Sequence, residues 1–241
     1  MLYLKDEGII ITKKPYKEKD SIVIILTKKY GKVRALATGL RKQESRLLGL
    51  SEPGTIAKFY FAVSSGKSIV SSNIIRLLSI LGWKFPGKGF KENPYLFLWA
   101  LRFLGTANIL EISDELWDII LNLDRAILKD PRGFQVWFVL KVLEELGEVP
   151  NFEFCAKCGV ALCDKIPLGN RSKNFIAKPN DIFFYNANLY CSKCRKPSYE
   201  SISQKDLFLI KRLIESQEPI FPYPKQLHKI LTKQLLRHGV A

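Results

Sequence analysis

The chain is predicted to be an α+β protein: a small antiparallel β-barrel at the N-terminus, then an α-helical domain interrupted by a four-cysteine module. Three observations predict it. Short β-branched and apolar runs recur up to about residue 75, the apolar period turns helical from about residue 93, and two Cys-x-x-Cys pairs stand between helical segments.

Five runs read as strands: Gly8 to Thr12, Ser21 to Thr27, Lys32 to Thr38, Thr55 to Val63 and Ser68 to Asn73. The second, SIVIIL, is β-branched and bounded by charges, and Tyr30-Gly31 stands where the chain must reverse into VRALA. Strands two and three therefore pair. Five short antiparallel strands in some 75 residues suit a closed barrel, because closure removes exposed sheet edges. The OB-fold is the expected class, with an SH3-like barrel the alternative that periodicity leaves open.

Asn93-Pro94 is a fitting N-cap and first helical residue for YLFLWALRFLG, which ends near Gly105. Ser113 precedes DELWDIILNLDRAIL, whose acidic first turn suits the positive end of the helix dipole. Asp130-Pro131 opens a third helix running to Gly147, and the three are expected to pack as a bundle. Ser203-x-x-Asp206 starts an amphipathic helix and Pro224 precedes a last one, both expected to rejoin the bundle. The resulting division is 1–78 barrel, 79–150 first helical part, 151–200 cysteine module and 201–241 C-terminal helical part.

Cys155-Ala-Lys-Cys158-Gly and Cys191-Ser-Lys-Cys194 are two equal knuckles separated by 32 residues. A two-residue spacer lets both thiolates of a knuckle reach one ion, and Zn²⁺ takes four tetrahedral sulfurs, so one structural zinc is expected. The intervening stretch, with its apolar IFFY, must fold back as a hairpin or loop. Lys157, Lys193, Arg195 and Lys196 are placed to offset the charge of four thiolates. Neither pair sits in a strand–motif–helix context, which argues against a thioredoxin-type redox site. Cys163 reads as a buried small hydrophobe.

Formal net charge is +15, and it is unevenly placed: +9 over residues 1–80, −2 over 81–150 and +8 over 151–241. Two basic ends around a neutral middle point to surfaces that attract a polyanion. In the barrel the cations fall on Lys13 and Lys14 with Lys17 and Lys19, on Lys32 and Arg34 with Lys28 and Lys29, and on Arg41, Lys42 and Arg46. Tyr16 and Tyr30 lie among them, where aromatic rings could stack bases while the cations follow phosphates. Lys13, Lys14, Lys32, Arg34, Arg41, Lys42 and Arg46 are the expected nucleic-acid contacts.

No catalytic set emerges. The two histidines, His228 and His238, lie in the C-terminal segment, and no phosphate-cradling glycine loop occurs. A non-enzymatic protein without a small-molecule substrate is expected. No apolar run approaches the roughly 20 residues that cross a bilayer, and Met1 to Asp6 lacks a secretory n-region. Together with the paired cysteines this places the chain in a reducing cytoplasm. An RNA-binding or ribosome-associated barrel with a zinc ribbon is the alternative, and a zinc hydrolase with an open metal position a third.

The order of these parts resembles the RecO family of DNA repair and recombination mediators. The likeness rests on GIIITKKPYKEKDSIVIILTKKYGKVRALATGLRK-x-x-SR and on FVLKVLEELGEVPNFEFCAKCG leading into CSKC. The chain departs from the family at Leu40 and at Asn186-Ala187-Asn188. The resemblance implies an N-terminal OB-fold, a helical domain and an inserted zinc module. It implies binding of single- and double-stranded DNA, annealing of complementary strands, and help in loading RecA recombinase onto strands covered by single-strand-binding protein. RecR and that binding protein are the implied partners, and the implied location is cytoplasmic and nucleoid-associated.

Overall fold

A computed structural model describes residues 1–45, 47–64, 74–149, 151, 153–162, 182–185 and 188–219. The chain falls into two compact units, which divide between Gln135 and Val136.

The first unit begins with five strands, β1 (Leu2–Tyr16), β2 (Asp20–Thr27), β3 (Gly31–Ala37), β4 (Ile56–Val63) and β5 (Ile75–Lys84). They form a closed barrel in the order β1-β2-β3-β5-β4, with β1 returning to β4. Pairing is antiparallel except between β3 and β5, which run parallel. A closed five-stranded circuit is the architecture of the OB class. Its interior is filled by Ile10, Val23, Ile25, Val33, Ala35, Phe59, Phe61, Val63 and Leu77, and the rings of Phe59 and Phe61 stack at 6.2 Å.

Two strands differ from the sequence expectation. The first spans 15 residues rather than the expected 8–12, because its N-terminal half pairs with β4 and its C-terminal half with β2, with a bulge between Ile10 and Thr12. The polar LKDE run hid this half: Lys5 and Glu7 are exposed, while Asp6 accepts from the N–H groups of Lys29 at 2.7 Å and Glu7 at 2.9 Å. The expected strand at 68–73 lies outside the described residues, and the fifth barrel strand is Ile75–Lys84.

The hairpin at Tyr30-Gly31 forms as expected. Gly31 has φ +59°, and a Cβ there would come within 2.4 Å of the Ile109 carbonyl oxygen. Only glycine serves both demands.

Helices follow: α1 (Lys88–Glu92), α2 (Pro94–Thr106), α3 (Asp114–Leu121) and α4 (Leu123–Lys129). Ile9, Ile11 and Leu26 are buried although they stand outside the barrel's interior cluster. Helix α2 packs on β1 and β2, and a Cβ at Gly105 would meet Ile11 at 2.7 Å. Ser113 caps α3, its Oγ accepting from the Leu116 N–H at 3.1 Å. The single helix expected over DELWDIILNLDRAIL is two, broken at Asn122, whose side chain donates to the Asp118 carbonyl at 2.9 Å. The Asp124 carboxylate then accepts from the N–H groups of Gly87 and Phe90, fixing the start of α1 against α4.

Helix α5 (Phe134–Glu145) spans the division and lies mostly in the second unit. It starts later than expected, because Asp130 accepts from the N–H groups of Arg132 and Gly133, each at 3.1 Å, and holds Asp130-Pro131 in a turn. In the second unit, Val136 through Leu140, Val142 and Leu143 are buried. Helix α6 (Gln204–Glu215) is capped by Ser203, whose Oγ accepts from the Asp206 N–H at 3.1 Å. It is tied to α5 by the Trp137 indole N–H, which donates to the Ser216 carbonyl at 3.1 Å, and by the buried Lys141 ammonium on the Ile214 carbonyl. Strands β6 (Ile182–Tyr185), β7 (Asn188–Tyr190) and β8 (Glu200–Ile202) form a sheet in the order β7-β6-β8. The helix expected after Pro224, and Cys163, lie outside the described residues. Among the described residues no helix is long and apolar enough to cross a membrane.

Candidate nucleic-acid interface and candidate metal centre

Strand register decides which barrel cations share a face. Residues directly opposite one another in paired strands point to the same side. One outward row is Thr12, Ile24 and Arg34 across β1, β2 and β3. The next, two residues along and about 6.6 Å away, is Lys14, Ile22, Leu36 and Arg76, the last brought in by the parallel β3–β5 pairing. Tyr16, Asp20 and the following Thr38 continue the series. Lys14, Arg34 and Arg76 are exposed, while Ile22, Ile24 and Leu36 are half-buried, so cations stand around an aliphatic floor.

At the end of this face two turns are tied together. The Arg41 N–H donates to the Lys19 carbonyl at 3.0 Å, its guanidinium reaches the Lys17 carbonyl at 3.4 Å, and the Gly39 N–H donates to the Asp20 carboxylate at 2.8 Å. Lys17, Lys19 and Lys42 line the shallow pocket between the turns, together with Glu18, Asp20, Thr38 and Gly39. The Lys17 ammonium lies 5.6 Å from the Tyr16 ring centroid.

The other candidates are placed differently. Lys13 follows the inward side of β1, opposite Val23, and pairs with Glu52 at 2.5 Å. The Lys32 ammonium caps the carbonyl end of α2, donating to Gly105 at 2.6 Å and to Ala107 at 3.4 Å. Partial burial pushes its pKa down from the ordinary lysine value. Lys28 pairs with Asp114, whose hydrogen bond raises its pKa. Arg46 lies outside the described residues. Of the seven expected contacts, the structure thus gathers Lys14, Arg34, Arg41 and Lys42 on one side and holds Lys13 and Lys32 in internal contacts. Arg76 was missed because it follows the expected fifth strand, and nothing local marks it as a neighbour of Leu36.

The four knuckle cysteines converge. Their sulfurs all lie within 4.8 Å of one another, and those of Cys158 and Cys191 are 3.7 Å apart. Four sulfurs at about 2.3 Å from one tetrahedral ion are about 3.8 Å apart, so the set suits zinc. The first knuckle turns at Gly159 (φ +69°), where the Gly159 N–H donates to the Cys155 carbonyl at 2.9 Å. The Ala156 N–H joins it to β7 through the Leu189 carbonyl at 2.8 Å. The second knuckle follows β7 directly, and the IFFY segment is the hairpin partner of that strand, as expected of a stretch that must fold back.

Cys155 is buried, and burial pushes its thiol up. The N–H groups of Cys191, Cys158 and Lys157 outweigh this and bring it down to about 6. Cys194 is pushed up to about 12, first by its hydrogen bond with Cys158. Four thiolates this close repel one another strongly, and a divalent cation at their centre removes the conflict.

Comparison with known proteins agrees with this assembly. A family profile described as Recombination protein O N terminal matches residues 1–80. The chain is 29% identical over 213 residues to the DNA repair protein RecO of Thermodesulfovibrio yellowstonii, covering 84% of this chain and 74% of that one. It is 22% identical over 246 residues to the RecO of Alkaliphilus metalliredigens, covering 98% and 94%. With the RecO of Bacillus pumilus it shares 30% identity over 174 residues, covering 66% of this chain and 61% of that one. With a closed N-terminal barrel, a helical continuation and converging cysteine knuckles, the chain is similar to RecO proteins along nearly its whole length.

Proposed function

We propose that the chain is a non-enzymatic recombination mediator that binds DNA strands, anneals complementary ones and helps load RecA onto DNA coated with single-strand-binding protein. Its similarity to DNA repair proteins of the RecO family supports a role in DNA repair and recombination. The finer reading rests on one observation: the exposed Lys14, Arg34 and Arg76 stand around half-buried Ile22, Ile24 and Leu36, and lead to Lys17, Lys19, Arg41 and Lys42 in the adjoining turns. OB barrels take oligonucleotides on the outer face of strands two and three and with adjoining loops.

Such a face neutralises phosphates and offers an apolar surface to bases without committing to a sequence. Annealing follows from charge. A cationic surface lowers the repulsion between two polyanionic strands, and base pairing supplies the drive, so no nucleotide cofactor is needed. RecR and single-strand-binding protein are the proposed partners, in the cytoplasm and at the nucleoid.

Cys155, Cys158, Cys191 and Cys194 would hold one structural zinc. A closed shell of four thiolates leaves no position for an activated water, so its contribution is to folding of the module inserted between α5 and α6. In this reading the barrel of residues 1–78 is the nucleic-acid domain, and 79–150 with 201–241 the helical domain around module 151–200.

Annealing of complementary oligonucleotides, with and without single-strand-binding protein and without nucleotide, tests the proposal. Annealing that persists on coated strands is expected. Failure to anneal even naked strands would overturn it.

A further inference from the structure

The cysteine module carries an aromatic face that zinc binding does not use. In the β7-β6-β8 sheet, Phe183 stands opposite Tyr190 and Ser201, so Phe183, Tyr185 and Tyr190 share one face, and Tyr199, two residues before Ser201, joins them. The opposite face carries Ile182, Leu189 and Ile202, all buried in the core. A three-stranded sheet needs only one apolar face for its core, yet this one has two.

The rings form a ladder. Tyr185 stacks on Tyr199 at 4.7 Å with 14° between planes, and Tyr190 lies 4.7 Å from Tyr199 at 41°. Tyr185, Tyr190 and Tyr199 remain half-exposed, and the Arg195 guanidinium sits 5.1 Å from the Phe183 ring. Lys157, Lys193, Arg195 and Lys196 are exposed on the two knuckles.

We propose that this face is a second site for single-stranded nucleic acid, in which a base extends the Tyr185–Tyr199 stack while the knuckle cations take the flanking phosphates. Stacked π faces beside exposed cations suit an unpaired base together with its flanking phosphates. A duplex keeps its bases stacked internally and offers them no face. The site rests on the DNA-binding reading above and adds to it that one chain holds single strand at two places.

Photocrosslinking of the full-length protein to an oligothymidylate substituted with 5-iodouracil tests it, with the linked peptides mapped by mass spectrometry. Crosslinks at Tyr185 or Tyr199 are expected, besides those on the barrel. Tyr185→Leu and Tyr199→Leu are each expected to weaken binding of the same oligonucleotide about tenfold, with zinc content unchanged and duplex binding unaffected, while Tyr199→Phe restores it. Crosslinks confined to barrel peptides, with Leu variants that bind like the parent, would overturn the second site and leave the barrel interface standing. Absence of any binding by the parent protein would overturn both. Where a Leu variant loses zinc, the crosslink map of the parent protein decides.

Discussion

Removing two arginines from the barrel face should change the salt dependence of DNA binding, whereas removing two lysines equally prominent in the sequence should not. Besides Arg41, whose guanidinium is engaged by the Lys17 carbonyl, six exposed cations, Lys14, Lys17, Lys19, Arg34, Lys42 and Arg76, line the candidate interface. If each neutralises one phosphate of a single strand, log K falls with log[salt] at a slope of about −4, a loss of about 300-fold between 50 and 200 mM salt. The double variant Arg34→Ala, Arg76→Ala should lower the slope to about −3 and the loss to about 50-fold. Lys13→Ala, Lys32→Ala should keep the parental slope, because the first lysine is paired with Glu52 and the second with the carbonyls of Gly105 and Ala107. Fluorescence anisotropy of a labelled oligothymidylate across a potassium chloride series measures both. A parental slope in the arginine variant, or a reduced one in the lysine variant, would refute the assignment of the face.

Gly31→Ala should destabilise the protein by about 2–4 kcal/mol, since it combines a φ of +59° with a Cβ 2.4 Å from the Ile109 oxygen; urea unfolding of the two proteins measures it. Ser113→Ala should cost about 1 kcal/mol by uncapping α3, seen as a lower urea midpoint with unchanged DNA affinity. Cys191→Ser should reduce bound zinc from one ion per chain to nearly none and expose the module to limited proteolysis; an unchanged zinc content by metal analysis would contradict the four-sulfur centre. Trp137→Phe should loosen α6, because it removes the indole N–H that holds the Ser216 carbonyl, and faster amide exchange in residues 204–215 is the expected result.

Local features were legible. The caps at Ser113 and Ser203, the start of α2 at Pro94, the glycine turn at Gly31 and the pairing of strands two and three each follow from residues adjacent in the chain. The elements misjudged had signals that compete or lie far away. β1 is longer because its polar half is held by β4, more than fifty residues downstream. The long acidic helix breaks where the Asn122 side chain bonds the helix backbone, against a strong apolar pattern on both sides.

The amino-acid sequence by itself determined the α+β order, the excess of cations in the barrel and the two equal cysteine knuckles, because composition, periodicity and a two-residue spacer are properties of contiguous residues. Only the tertiary structure decided which cations share one exposed face. A Lys or Arg carries the same charge in every register, but strand alternation, the bulge after Ile10 and the parallel β3–β5 pairing turn Lys14, Arg34 and Arg76 outward together, while Lys13 and Lys32 end on a carboxylate and a helix end. Sidedness is a long-range property, set by contacts between strands distant in sequence, and no local pattern of charges encodes it.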